Sequence, residues 1–230
     1  MSDLSAKNVP IVIATKTAKC LPVLLASIDQ YVPLEVEIIV SGSDLRLPRH
    51  KTINLPNYGK SFGESYNYVC NYAFQTHKHI IVANDDIVVN PNSYIRLVDD
   101  YIKLLDSDIG WMSARSDYAR GQQNIRLWSQ LNGIRSVEEE QIVETDVISP
   151  LFALISKHRW IDYPPINWYS DDIQCLKMRY AGSRNFVSTS YVHHVGSSTI
   201  GMDHKKNNDE AMEWMKDNEP DFYAFYNNLA

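Results

Sequence analysis

The triplet Asn84-Asp85-Asp86 directly follows an apolar run, Ile80 to Ala83, and gives way to Ile87-Val88-Val89 before a Pro-Asn-Ser turn. Two adjacent carboxylates at the end of a buried strand lose solvation and repel each other. A divalent cation relieves both effects, and Mg²⁺ or Mn²⁺ takes such oxygen ligands while sharing them with a substrate's phosphates. The plainer alternative is a polar turn that closes a strand. A second acidic pair, Asp171-Asp172, stands at the head of a helical stretch, where Ser170 or Asp171 would cap the helix and acidic charge is favoured. The turn-rich stretch Pro56-Asn57-Tyr58-Gly59-Lys60-Ser61-Phe62-Gly63 precedes another helix, whose N–H groups could meet a phosphate. It lacks the spacing of a Walker A loop, and a simple strand-to-helix connection explains it equally well.

The elements that must position these residues are legible in the apolar pattern. Val9 to Ala14 reads as a first buried strand, Cys20 to Tyr31 as a helix with Leu21, Leu24, Leu25 and Ile28 at helical spacing, and Val36 to Val40 as a second strand. Strand, helix and strand in close succession predict a right-handed unit with a parallel pair. Thr52 to Leu55 forms a short third strand, and a helix from about Glu64 to Gln75 follows. After the Asp85-Asp86 strand come a helix over Ser93 to Leu105, capped by Asn92 or Ser93, and a strand over Ile109 to Ala114. The stretch from Arg115 to Glu144 lacks a clear period and reads as a long excursion, its Glu138-Glu139-Glu140 run a solvated face. Strand character returns over Thr145 to Ser156. A helix over Ile173 to Ala181 and a strand over Asn185 to Val195 follow, and one helix over Asp209 to Asp217 lies in the polar, aromatic tail.

With 230 residues, the chain suits one domain. Its hydrophobic fraction of 44% and charged fraction of 22% are ordinary for a globular protein. A net charge of −6 without a Lys/Arg block weighs against a protein built mainly to grip a nucleic-acid backbone. Cys20, Cys70 and Cys175 lack metal or redox spacing and read as reduced packing residues. No signal segment and no run of roughly 18 apolar residues is present, so the expectation is a soluble, cytoplasmic protein with no membrane span.

The block from Trp168 to Thr199 makes a resemblance specific. In order, the chain carries the opening strand Ile11 to Thr17, the helix entry from Asn57-Tyr58-Gly59 to Asn67-Tyr68, the acidic triplet Asn84-Asp85-Asp86 and the helix Asp171-Asp172 through Arg179 to Gly182. A strand ending in His194-Val195-Gly196-Ser197-Ser198 follows. Over Val9 to Thr199 it resembles a family-2-type inverting glycosyltransferase of the GT-A fold. The resemblance implies an α/β architecture, a Rossmann-like mixed and mostly parallel sheet flanked by helices. It also implies a single domain over 1–230, with a nucleotide-sugar half near 9–114, an acceptor and catalytic half near 115–200 and a C-terminal extension over 201–230.

The same resemblance implies a metal-dependent hexosyl- or pentosyltransferase that uses a nucleoside-diphosphate sugar, UDP type favoured, with Mn²⁺ or Mg²⁺. Asp86 is then the first metal ligand and Asp85 the second, with Asn84 orienting them and His194 a further metal or diphosphate contact. Asn57, Gly59 and Asn67 belong to the donor side. Asp172 matches the general base and Asp171 the acid before it; a helix N-terminus would hold such a carboxylate ionised. Arg179 is suited to a carboxylate or a phosphate, or to a surface ion pair. Two departures concern the nucleotide: Ser41-Gly42-Ser43 stands where an Asp often reads the base, and Tyr66-Asn67 replaces Arg-Asn. Thr15, Lys16 and Asp44 are the remaining candidates to contact it.

Without membrane helices, a synthase that extrudes its polymer is excluded. A carbohydrate acceptor ranks first, and a modified DNA base second because Arg115, Arg120, Arg126 and Arg135 fall together in the excursion. Two rivals are a catalytically silent domain of the same fold and a nucleotidyltransferase. Ala14-Thr15-Lys16-Thr17-Ala18-Lys19 lacks the glycines of the latter's phosphate loop.

Overall fold

The computed structural model describes residues 4–5, 8–127, 133–134, 141–195 and 204–227. In chain order the first half comprises β1 (Ile11–Ala14), α1 (Leu21–Tyr31), β2 (Ile38–Ser41), β3 (Thr52–Leu55), α2 (Phe62–Ala73), β4 (His79–Asn84), β5 (Ile87–Val89), α3 (Ser93–Lys103) and β6 (Ile109–Ser116). The second comprises β7 (Arg126–Leu127), β8 (Gly133–Ile134), β9 (Val143–Thr145), β10 (Phe152–Ser156), α4 (Ser170–Tyr180), β11 (Arg184–His194), α5 (His204–Asn218) and α6 (Pro220–Asn227). Single 3₁₀ turns lie at Gly121–Gln123 and Lys157–Arg159.

Among the described residues a nine-stranded sheet runs β3-β2-β1-β4-β10-β6-β11-β5, with β9 on β11. The β3-β2-β1-β4 portion is parallel, β10 lies antiparallel between β4 and β6, and β11 runs parallel to β6. The expected β1-α1-β2 unit with its parallel pair is present. Side chains alternate along a strand, so the continuous apolar runs serve both faces of the sheet. Ile11, Ile13, Ile81 and Ala83 join the core under α1 and α3, whereas Val12, Ile80 and Val82 join the core under α2 and α4. Fully buried Trp111 fills the second core and donates through Nε1 to Gln174 Oε1 at 2.8 Å.

The break at Asp85-Asp86 is as the sequence reads: the chain leaves the sheet there, and β5 re-enters against β11 at the far edge. Several expectations are corrected. Helix α4 is capped by neither Ser170 nor Asp171: its N-cap is Tyr169, at φ 61° and without a side-chain cap bond, so both acids lie in the first turn. For α3, in contrast, Asn92 is the N-cap as expected, at φ 67° and without a side-chain cap bond. The tail folds as two helices rather than one, joined at Asn218–Pro220 and packed on α4 through Ile166, Ile173, Ala211, Met215 and Phe222. Of the three cysteines, all reduced, Cys70 and Cys175 are buried, but Cys20 is half-exposed at the start of α1. Among the described residues no helix is long and apolar enough to cross a membrane.

Candidate active site

Parallel pairing of β1 with β4 sets Ala14 opposite Asn84, so Thr15 and Asp85 leave the sheet side by side. The Thr15 hydroxyl donates to Asp85 Oδ2 at 2.5 Å and accepts from the Ala18 amide at 2.9 Å. The Tyr66 phenol donates to the Ala83 carbonyl at 2.9 Å and reaches Asn84 Oδ1 at 3.3 Å, which fixes the entry to the acidic turn. Burial pushes that phenol's pKa well up, with the charges of Asp85 and Asp86 adding to it, so it remains a donor.

The end of β11 lies against this turn because β5 pairs antiparallel with it and the Val195 amide donates to the Asp86 carbonyl at 3.0 Å. His194 Nε2 consequently stands 3.2 Å from Asp86 Oδ1, and both side chains are nearly buried. Its other nitrogen, Nδ1, lies 2.6 Å from the Tyr118 carbonyl and must carry a proton there. Burial lowers the affinity of His194 for a second proton, but the Asp86 carboxylate more than offsets this and its pKa is raised. His193 points elsewhere, pairing through Nδ1 with Asp117 Oδ2 at 2.6 Å.

Asp85, Asp86 and His194 form one wall of a cavity of about 590 Å³. Ala14, Thr15 and Lys16 come from the end of β1, Asn57, Gly59 and Lys60 from the loop before α2, and Ser65 and Tyr66 from α2 itself. Asn167 and three residues of α5 (Lys206, Asn207 and Glu210) complete it. Of the donor-side residues expected from sequence, Asp44 and Asn67 do not line this cavity. Asp44 is exposed. Asn67 donates to the Tyr163 carbonyl at 2.9 Å and accepts from the Tyr163 amide at 2.8 Å, pinning the segment ahead of α4.

The N-terminus of α2 already holds an internal anion. Ser61 and Glu64 form a capping box, and the Glu64 carboxylate accepts from the Lys60 and Ser61 amides at 2.7 and 3.1 Å. Asn167 Oδ1 takes the Phe62 amide at 3.0 Å and the Ile166 carbonyl takes that of Gly63 at 3.3 Å. Glycine is required at position 63, since a Cβ there would lie 1.8 Å from the Pro164 carbonyl oxygen. The amides expected to cradle a phosphate are therefore occupied from within.

Asp171 and Asp172 lie outside the cavity lining and are bridged by one guanidinium. Arg120 donates to Asp171 Oδ2 at 2.9 Å, to Asp172 Oδ1 and to the Ser149 hydroxyl at 3.0 Å. The helix N-terminus does not depress the Asp172 pKa as the sequence suggests. Burial, with the neighbouring Asp171 charge, pushes it up to about 6, against the pull of Arg120. Tyr169 and Tyr226, with ring centroids 4.8 Å apart, stand beside this group, and the Asp172 charge raises the pKa of both phenols further than burial alone.

Among the described residues, the remaining arginines singled out from the sequence are engaged by groups of the protein itself. Arg179 pairs with Asp146 at 3.0 Å and Glu144 at 3.5 Å, as a surface ion pair. Arg115 is buried and donates to the Gln122 and Gln141 carbonyls at 3.0 and 2.8 Å, holding the excursion to the sheet. Arg126 lies 3.8 Å from Asp117. Arg135, the Glu138-Glu139-Glu140 run and the Gly196-Ser197-Ser198-Thr199 end of the last motif lie outside the described residues.

Among the described residues no group of three or more His, Cys, Asp or Glu side chains is arranged to hold a metal ion. The Asp86–His194 pair nevertheless fits a divalent cation completed by substrate. Mg²⁺-like ions commonly use one or two protein carboxylates together with phosphates, and ligating imidazoles characteristically donate their second N–H to a carbonyl, as His194 does to Tyr118. Asp85 is less available, with one oxygen engaged by Thr15.

No protein-family model matches the chain. No curated protein sequence matches it either. Solved structures do. A crystal structure of GalNAc-T7 with UDP, GalNAc and Mn²⁺ superposes with a TM-score of 0.61 at 14% identity, over 84% of this chain and 44% of that one. Staphylococcus aureus TarS 1-349 in complex with UDP-GlcNAc gives a TM-score of 0.57 at 14% identity, over 84% and 60% of the respective chains. The same TarS fragment with UDP gives 0.56 at 15% identity, over 81% and 60%. This chain thus spans about half the length of the solved chains it matches. At such identities the likeness bears on architecture, and that architecture is the GT-A fold of the glycosyltransferases.

Proposed function

We propose that this chain is an inverting glycosyltransferase that moves a hexosyl or pentosyl group from a nucleoside-diphosphate sugar, UDP type favoured, to an acceptor hydroxyl. The observation that carries the reading is the Asp86–His194 pair in the wall of the cavity, beside the C-terminal ends of β1 and β4, where ligands of open α/β sheets bind. The crystal structures of GalNAc-T7 with UDP, GalNAc and Mn²⁺ and of TarS with UDP-GlcNAc support the same donor class.

The nucleotide diphosphate would occupy the cavity against Lys16 and Lys60, with Thr15, Asn57 and Gly59 along its wall. Asp86 and His194 would hold Mn²⁺ or Mg²⁺, with Asp85 next to them; when bound, the cation neutralises charge on the departing diphosphate. Asp172 serves as general base. Its Oδ atoms accept the acceptor hydroxyl proton as that oxygen attacks the anomeric carbon on the face opposite the leaving group. Arg120 engages only Oδ1 of Asp172, which leaves Oδ2 to take the proton, and Asp171 keeps the guanidinium close by.

A carbohydrate acceptor is preferred to a DNA base. Arg115 is buried within the fold and Arg120 is engaged by the acidic pair, so half of the arginine group that favoured DNA is committed to partners within the protein. The single-domain division and the cytoplasmic placement are part of the same proposal, the latter supported by the three reduced cysteines. Calorimetric titration with a panel of nucleoside diphosphates and their sugars, with and without Mn²⁺, tests it. Metal-dependent binding of one nucleotide is expected, and no binding across the panel would shift the reading to a silent domain of this fold.

A further inference from the structure

The helical hairpin α5–α6 was expected from sequence as a polar tail with no assigned task. It instead presents one face to the cavity: Lys206, Asn207 and Glu210 all line it, together with Asp85 and Asp86. Its position is defined by packing. Ala211 and Met215 of α5 are buried with Ile166, Ile173 and Phe222, the Tyr169 phenol donates to Asn208 Oδ1 at 2.8 Å, and Lys177 of α4 pairs with Glu219 at the hairpin turn. Asn207 is itself buried.

We infer that Lys206 is a donor-binding residue that meets the diphosphate from the α5 side, making the C-terminal hairpin a working wall of the donor site. This deepens the glycosyltransferase reading and rests on it. Two observations lead to it. First, the amides of the α2 N-terminus are occupied by Glu64, Asn167 and Ile166, so the phosphate charge that a cation leaves has to be met by side chains instead of that helix end. Second, the cavity has three lysines in its lining (Lys16, Lys60 and Lys206), from three separate parts of the chain, in a protein of net charge −6. Such convergence suits a compact polyanion whose charge an ammonium can partly neutralise. The neighbouring Glu210 carboxylate stands 3.8 Å from Lys206 in an exposed i,i+4 pair.

The test is calorimetric titration of the full chain with UDP, with inorganic pyrophosphate and with uridine, each with Mn²⁺, in wild type, Lys206→Met and Lys206→Arg. Lys206→Met is expected to weaken UDP and pyrophosphate binding about tenfold and leave uridine unchanged, whereas Lys206→Arg stays within about threefold of wild type. The lysine side chain is largely exposed, so the variants should melt at the wild-type temperature. If wild type binds UDP or pyrophosphate and Lys206→Met binds it equally well, the assignment to Lys206 is overturned and the glycosyltransferase reading stands. Equal loss in both variants would also overturn it, because charge would not be the operative property. If wild type binds neither UDP nor pyrophosphate, this inference falls, and the nucleotide panel then decides the wider reading.

Discussion

His194 faces Asp86 through Nε2 at 3.2 Å while its Nδ1 is fixed on the Tyr118 carbonyl. An imidazole with a proton already committed on one side faces a carboxylate on the other, so the pair suits either a second proton or a cation between them. Asp86→Ala and His194→Ala should each weaken Mn²⁺-dependent nucleotide binding by about tenfold or more, with little change in the metal-free titration. Titration with and without Mn²⁺ checks this, and equal losses in both conditions would remove the metal assignment.

Asp172 contributes to chemistry rather than to binding in this scheme. Asp172→Asn should bind the donor with near-normal affinity and lose transfer almost entirely. Transfer at the wild-type rate would show that the base has been misassigned.

The pH dependence follows from the same side chain. Its pKa is raised from an ordinary 3.8 to about 6, and the base works only when ionised. The rate should therefore fall about tenfold per pH unit below that inflection. Between about pH 4 and pH 6 the folded state binds more protons here than the unfolded chain does, so the Asp172 contribution to stability declines as pH rises across that window. Asp172→Asn should flatten that part of the melting-temperature profile.

Arg120 pulls the Asp172 pKa downward. Arg120→Gln should accordingly move the acidic inflection of the rate profile upward, while donor affinity stays unchanged because Arg120 does not line the cavity. An unmoved inflection would mean that the bridge to Asp171 and Asp172 does not govern the base.

Asn67 is expected to matter for folding and not for the nucleotide. Asn67→Ala leaves the Tyr163 amide and carbonyl without their partners, which should cost about 1–3 kcal/mol in chemical denaturation. Nucleotide affinity should be retained; a lower affinity at unchanged stability would restore the donor-side role that its motif suggests.

Much of the site was legible because it sits where strong local signals end. Asp85 and Asp86 follow the apolar β4 and Thr15 follows its parallel neighbour β1, while His194 closes the last long strand and is brought to them by the pairing of β5 with β11. What escaped was set by contacts distant in sequence. Nothing in the spacing around Arg120, inside an aperiodic stretch, tells that it bridges Asp171 and Asp172. Asn67 matched a motif position, yet its partner Tyr163 lies on a segment with no regular pattern. The first turn of α4 suggested a depressed carboxylate pKa, but burial of Asp172, a tertiary property, outweighs the helix end. The α5 face was hidden for a similar reason: Lys206 and Glu210 look like ordinary solvent-facing residues until packing turns them toward the cavity.

The Glu64 carboxylate on the Lys60 and Ser61 amides has a further consequence. Those amide hydrogen bonds hold its pKa below the usual carboxylate range despite some burial, so the guest stays charged across physiological pH. A helix end that carries its own tethered anion is closed to sulfate, phosphate and other small oxyanions abundant in solution. In the proposed donor site, the α2 end thus acts as a fixed partition, and a diphosphate would be sorted by side chains on jointed stems and by the cation rather than by a preformed nest of amides.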